Sequence, residues 1–237
     1  MQIIEQWLEQ SAEHVQQTAR PLVTVSYAQS LDGSITAKGG QPLALSGAAS
    51  SRLTHQLRSL HDAILVGVGT VLADDPLLTV RHIKGKHPQP VILDSHLRTP
   101  LHARLVTQHP GQVWIAATQT AEPERIQRLQ EAGARVILLP NDPQNRVSLS
   151  KLLQSLASQG IRSLMVEGGA QVITSFYQQG LADQVVLTLA PVFVGGLPAV
   201  SPQQPLGENA EQLPRLTESG SHWLGEDLIV WGKLRYS

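Results

Sequence analysis

Two stretches of the sequence gather residue types that can do chemistry. The first is Leu65-Val66-Gly67-Val68-Gly69-Thr70-Val71-Leu72-Ala73-Asp74-Asp75-Pro76, with Arg81 just beyond it. An apolar run ends in paired glycines and a hydroxyl, two carboxylates stop at a proline, and a guanidinium follows. The second, Val166-Glu167-Gly168-Gly169-Ala170, ends an apolar run on a carboxylate and two glycines. Glycine bares backbone amides to a ligand, and amides at a helix start attract an anion. Such turns, set beside acids and arginines, can hold a phosphorylated ligand next to a proton source.

Taken singly the signals differ in weight. Gly67-Val68-Gly69-Thr70 reads first as a tight turn and second as a loop meeting a phosphate or a nicotinamide amide. It is not a Gly-x-Gly-x-x-Gly fingerprint, because Leu72 takes the last glycine position. Glu167-Gly168-Gly169 precedes a helix pattern from Ala170 to Gln178, a placement that suits a dinucleotide pyrophosphate at the carboxyl end of a strand. Asp75 before Pro76 reads as a turn initiator. That leaves Asp74 as the freer carboxylate, its pKa expected to rise beside a like charge. Arg58 and Arg81 are candidate phosphate clamps, since a guanidinium offers a two-pronged fork. His55 and His61 read as ordinary helix-face and helix-end residues.

The elements that must position these groups follow from periodicity. Residues 2–18 carry Ile3, Ile4, Trp7, Leu8, Ala12 and Val15 at helical spacing and read as one appended helix over 1–20, with the main domain spanning 21–237. Leu22 to Ala28, Ala63 to Val66, Val91 to Asp94, Val113 to Ala116, Val136 to Leu139 and Leu164 to Val166 read as strands. Helix patterns at 48–60, 122–132, 148–159 and 170–178 lie between them. This alternation predicts an α/β fold whose mixed, mostly parallel sheet is flanked by helices. Gln184 to Ala190 and Asp227 to Leu234 read as closing strands, antiparallel at the sheet's end. Gly195 to Glu211 reads as a long surface loop.

Composition narrows the classes. Lysine and arginine number 18 against 19 aspartates and glutamates, so no electrostatic footprint for nucleic acid or an anionic membrane is expected. Cysteine is absent, which excludes a disulfide framework, a thiol nucleophile and a thiolate zinc site. The nine histidines are scattered, and no metal is expected. A polar, amphipathic start and no long apolar run point to a cytoplasmic protein.

In order along the chain, Tyr27-Ala28-Gln29-Ser30-Leu31-Asp32-Gly33, Leu57-Arg58, Asp62 through Pro76, Val91 to Ser95, Val166 to Gly169 and Ala190-Pro191 together resemble the pyrimidine reductases of riboflavin biosynthesis. The resemblance runs over roughly residues 21 to 235. It implies a dihydrofolate-reductase-like fold, a homodimer, NADPH as hydride donor, and reduction of a phosphoribosylamino-pyrimidine to its ribityl form. It places Ala28, Gly69, Thr70, Asp74, Ser95, Gly168, Gly169 and Ala170 against the cofactor. Ser46, Arg58, Arg81 and Glu167 fall against the substrate, with Glu167 and Asp74 as the catalytic carboxylates. Ser95 with Arg98 is the expected seat of the NADPH 2′-phosphate.

Ser26, Pro42 and Ala44 depart from the bacterial bifunctional pattern, whereas Tyr-Ala-Gln-Ser-Leu-Asp resembles the fungal wording. The base is therefore either the uracil or the 2,5-diamino-pyrimidinone. The deaminase half of the bifunctional proteins needs zinc-binding cysteines, so deamination is expected from another protein. Two rival readings stand beside this one. One is a related NADPH-dependent reductase of another pteridine-like or carbonyl compound; the other is a non-catalytic nucleotide-binding dimer.

Overall fold

The predicted alternation resolves into one large sheet in the computed structural model, which describes residues 2–37, 43–109, 111–203 and 205–236. The chain opens with α1 (Gln2–Glu9), α2 (Ser11–Thr18), β1 (Leu22–Ser30), β2 (Ser34–Thr36), α3 (Ala48–Leu60), β3 (Ala63–Gly67) and α4 (Val68–Asp74). It continues through β4 (Gln89–Leu93), α5 (Arg104–Thr107), β5 (Trp114–Thr118), α6 (Pro123–Glu131), β6 (Arg135–Leu139) and α7 (Leu149–Ser158). It closes with β7 (Ser163–Gly168), α8 (Ala170–Gln178), β8 (Gln184–Ala190), β9 (Leu197–Pro198), β10 (Arg215–Leu224) and β11 (Asp227–Arg235).

The nine-stranded sheet has the order β10-β11-β8-β1-β7-β3-β4-β5-β6. From β8 to β6 every neighbouring pair is parallel, and β11 and β10 close the sheet antiparallel. The central strand β3 is apolar from Ala63 to Gly67, because helices cover both faces. On one face α7 and α8 bury Leu152, Leu153, Leu156, Ile173 and Phe176 against Val23, Leu65, Leu164 and Val166. On the other, α6 sets Leu129 over Ile64, Ile92 and Ile115, while α1 and α3 set Trp7, Leu53 and Leu57 over Met165, Val186 and Ile229.

Several expectations change in detail. The N-terminal helix is two, breaking at Gln10, and the first of them is embedded: Ile4 and Trp7 are buried on the sheet face. Arg20, just after α2, grips both oxygens of Asp183 at 2.7 Å, which ties this segment to the start of β8. Gly67-Val68-Gly69-Thr70 is a strand end running directly into a helix, with Gly67 as the N-cap. The stretch from Gly195 is more than a surface loop, since β9 pairs with β2 and Ala199 is buried. The sequence reading missed β10, whose residues are half or fully exposed and show no alternation. Pro42 lies outside the described residues. Among those residues, no helix is long and apolar enough to cross a membrane.

His61 gives the fold a titratable weak point. It is fully buried, with Nδ1 2.7 Å from the Leu57 carbonyl and Nε2 2.9 Å from Thr24 Oγ1. The carbonyl can only accept, so Nδ1 carries the proton and Nε2 is the acceptor atom facing Thr24 Oγ1, a hydroxyl that also lies 3.3 Å from Gln184 Oε1. Burial pushes its pKa from 6.5 down to about 4. The unfolded chain therefore takes up this proton first, and stability is lost as pH falls from about 6.5 toward about 4. Denaturant unfolding across that window should show a slope approaching ~1.4 kcal/mol per pH unit from this residue. A His61→Asn variant should lose that contribution.

Candidate active site

Parallel strands place their carboxyl ends along one edge, and there the two glycine turns meet. β3 and β7 are neighbours, but the ladder between them slips: Val166 pairs with Leu65, Gly168 with Val66, and Glu167 is the extra residue of a bulge. A bulge bends the strand and re-aims a side chain. The bare backbone at Gly168 and Gly169 faces the hydroxyl of Thr70 on α4. A Cβ on Gly168 would lie 3.2 Å from Thr70 Oγ1, and one on Gly169 3.3 Å. Gly169 also sits at φ +77°, a left-handed conformation that L side chains rarely adopt. Its backbone opens α8, whose first amides carry no side-chain cap.

A cavity of about 730 Å³ opens at this junction. Gly69, Thr70 and Asp74 from α4, Ser95 and Arg98 from the turn after β4, and Gly169 and Ala170 at the head of α8 line it. His96, Asp142, Arg146 and Gln171 join them, as do Leu197, Pro198, Ser201, Pro202 and Gln203 from the segment after β8. The volume lies in the range of ligand pockets, roughly 300–1,000 Å³. Uncapped amides at a helix head, closely approached glycine backbone and a cation at Arg98, with Arg146 paired to Asp142 at 3.3 Å, form a cradle suited to a phosphate-bearing dinucleotide.

Of the predicted cofactor residues, Gly69, Thr70, Asp74, Ser95, Gly169 and Ala170 line this cavity. Gly168 backs it through Thr70. Ala28 lies on β1 opposite Thr188 of β8 and is not part of the lining. The Ser95 hydroxyl accepts the Val147 amide at 3.0 Å and keeps its own proton to donate.

The two neighbouring aspartates divide their work. Asp75 caps α4 in a left-handed conformation and accepts the Arg104 amide at 2.8 Å. Asp74 faces the cavity, and burial raises its pKa. The like-charged neighbour expected to do this does not appear among the causes.

Three of the four predicted substrate residues, Arg58, Arg81 and Glu167, gather at the bulge, outside the cavity lining. Arg58 Nε donates to Glu167 Oε1 at 2.6 Å and Nη2 to Oε2 at 2.7 Å, while Nη1 reaches the Thr79 carbonyl at 3.1 Å. Both side chains are largely buried, 12% and 13% exposed. Burial pulls the Arg58 pKa down, and the Glu167 carboxylate more than offsets it, leaving it raised. The fork expected to clamp a phosphate is thus engaged with Glu167. Arg81 is exposed, braced by Nη1 on Thr79 Oγ1 at 2.9 Å, and forms no salt bridge among the described residues. Its stem is partly covered, and that cover, then the nearby Arg58 and Arg104 cations, lower its pKa, with Glu167 opposing them. His55, expected to be an ordinary helix-face residue, is buried and accepts the Arg81 amide at 3.2 Å. Ser46 stands just before α3, whose N-terminus Asp227 holds through the Gly47 amide and the Ser50 hydroxyl.

Sequence reasoning missed His96, Arg146 and the 197–203 segment. Their contribution depends on loops crossing from distant strands, and no local pattern marks that.

Comparison with known proteins agrees with this architecture. The 2,5-diamino-6-ribosylamino-4(3H)-pyrimidinone 5′-phosphate reductase of Methanothermobacter thermautotrophicus is 40% identical over 217 residues, covering 89% of this chain and 97% of its own. RibD of Acinetobacter baumannii superposes with a TM-score of 0.81 at 27% identity over 95% of this chain, which spans 61% of that longer protein. The Saccharomyces cerevisiae riboflavin biosynthesis reductase Rib7 matches at a TM-score of 0.75 and 26% identity, covering 98% of this chain and 99% of its own. The family model described as the RibD C-terminal domain matches residues 21–230, and the chain belongs to that family.

Proposed function

We propose that the protein is an NADPH-dependent reductase of riboflavin biosynthesis that converts the ribosyl group of 2,5-diamino-6-ribosylamino-4(3H)-pyrimidinone 5′-phosphate to the ribityl group. The observation that carries this reading is the meeting of Thr70 with Gly168–Gly169. It sets a dinucleotide-sized cradle one residue away from the Arg58-held Glu167. The relative that this chain nearly spans end to end carries the diamino-pyrimidinone name, which favours that base over the uracil. A homodimer is part of the proposal. β10 is an edge strand exposing Leu216 and, at 61%, Trp223, the kind of apolar edge that another chain covers. The setting is cytoplasmic, with no nucleic acid or membrane partner.

In the ring-opened imine form of the ribosylamine, the C1′–O4′ bond is broken and O4′ carries the former N–H proton. NADPH, when bound, would supply a hydride to C1′, and the C1′=N double bond would become a single bond as its nitrogen takes up a proton. The chain's own residues do the rest. The amides at Gly169 and Ala170 and the Thr70 hydroxyl hold the cofactor's polar groups, and Ser95 with Arg98 takes the 2′-phosphate. Asp74, on the cavity wall with its pKa raised by partial burial, is placed to pass a proton to the imine nitrogen. Glu167 acts as acceptor. An ionised carboxylate has about four lone-pair sites, and Arg58 occupies two, leaving the others for sugar hydroxyls. Arg81, near the Arg58 and Arg104 cations, receives the 5-phosphate.

Following NADPH oxidation with the diamino-pyrimidinone and the uracil phosphates side by side tests the assignment; no turnover of either would overturn it. Arg81→Ala should raise KM for the pyrimidine phosphate at least about tenfold, the worth of one charge-assisted contact, and leave KM for NADPH nearly unchanged. Asp74→Asn should lower kcat about 10²–10⁴-fold, as loss of a general acid does, without weakening NADPH binding to match. Arg58→Lys should behave like a Glu167 lesion, because a point charge cannot grip both carboxylate oxygens. A defect confined to phosphate affinity would instead return Arg58 to the clamp role.

A further inference from the structure

The Ser30-Leu31-Asp32-Gly33 turn plays no part in the site described so far, yet its carboxylate is heavily engaged. Asp32 is exposed to solvent and still accepts four hydrogen bonds. Oδ1 takes the Ser30 hydroxyl at 2.6 Å and the Val194 amide at 2.9 Å; Oδ2 takes the Ser34 hydroxyl at 2.8 Å and the Gly195 amide at 2.8 Å. Ser34 Oγ in turn accepts the Gly196 amide at 2.9 Å. Successive amides beside a left-handed residue, here Gly195 at φ +63°, form a concavity for an anion. The chain fills that concavity with its own carboxylate. Hydrogen bonds from Ser30, Val194, Ser34 and Gly195 hold the acid well below the usual carboxylate range.

What these amides lead into matters more. The next residues, Leu197, Pro198, Ser201, Pro202 and Gln203, form a wall of the cavity that also holds Thr70, Asp74 and Gly169. This strap has only the two-residue β9 as regular structure. Apolar burial does not seat its beginning either, since Phe193 is 78% exposed. Its path depends on polar latches: the Asp32–Ser34 pair, the Ala199 amide on the Gly33 carbonyl at 3.0 Å, and the Ser201 amide on Thr174 Oγ1 at 2.8 Å. A Cβ on Gly196 would run into the Thr36 carbonyl, so the strap lies directly on β2.

We propose that Asp32 is a positioning residue for the dinucleotide, holding the 194–196 amides so that the 197–203 strap completes the cofactor cavity. This rests on the reading of that cavity as the cofactor site. The charge, beyond the shape, is essential. An asparagine carbonyl could serve one pair of donors, but its NH₂ would face the other pair. A serine hydroxyl can turn and accept, whereas a backbone N–H cannot, so one amide would confront a donor. The strap would then leave its seat in part of the population, and apparent affinity would fall by the seated fraction.

Titration calorimetry of NADPH binding to the full chain tests this. Asp32→Asn should weaken binding about tenfold, as when roughly one molecule in ten keeps the strap seated. Hydrogen exchange should quicken at the amides of residues 194–203, and KM for NADPH should rise more than KM for the pyrimidine phosphate. Ser34→Ala, which removes one latch and keeps the charge, should shift all three in the same direction by less. It stands in should Asp32→Asn fail to fold. Wild-type NADPH affinity in a variant whose strap amides exchange faster would overturn the proposal, as would a rise confined to the KM of the pyrimidine. Absence of NADPH binding in the wild-type chain would instead overturn the reading of the cavity, and the proposal with it.

Discussion

The site depends on one close approach, the hydroxyl of Thr70 against the bare backbone of Gly168 and Gly169. That approach needs two conditions. β7 must lie beside β3 although the chain makes three other strands between them, and the turn after β7 must lack a Cβ where Thr70 of α4 leans in. Parallel strands then put the ends of β3, β4 and β7 on the same rim, where α/β folds hold their ligands. The slip in the β3–β7 ladder is part of the same device. Without the extra residue, Glu167 would sit in register as an ordinary strand residue.

Around this junction the acids are kept chemically distinct. Glu167 is gripped on both oxygens by a largely buried guanidinium, an arrangement suited to an ionised acceptor. Asp74 forms no salt bridge among the described residues, and partial burial raises its pKa. One carboxyl group thus faces a cation and the other the cavity. Asp75, adjacent in sequence to Asp74, is spent on a backbone amide, and Asp32 is spent on several.

Local pattern was enough for elements with a single strong period. The helix pattern from Ala170 to Gln178 is α8 to the residue, and 48–60 is α3. In both, an amphipathic run begins after glycine and packs one face on the sheet. The short inner strands were legible because burial on both faces leaves continuous apolar runs. β10, β2 and β9 were not, because their residues are exposed or too few to show a period; β2 and β9 become strands by pairing with each other across the chain, and β10 by folding back on β11. The same holds for α4, where glycine and valine disfavour an isolated helix but Val68 and Val71 find a buried seat.

The sequence by itself determined which turns carry glycine, which acids and arginines follow them, and that the strands between would form a mostly parallel sheet. Only the tertiary structure decided who meets whom. It gave the Arg58 fork to Glu167, left Arg81 facing solvent, spent Asp75 on Arg104 and brought a strap from beyond β8 across the cavity. The physical reason is range. Backbone preference and hydrophobic period act over a few neighbouring residues, whereas a hydrogen bond or an ion pair forms wherever folding brings its two ends together.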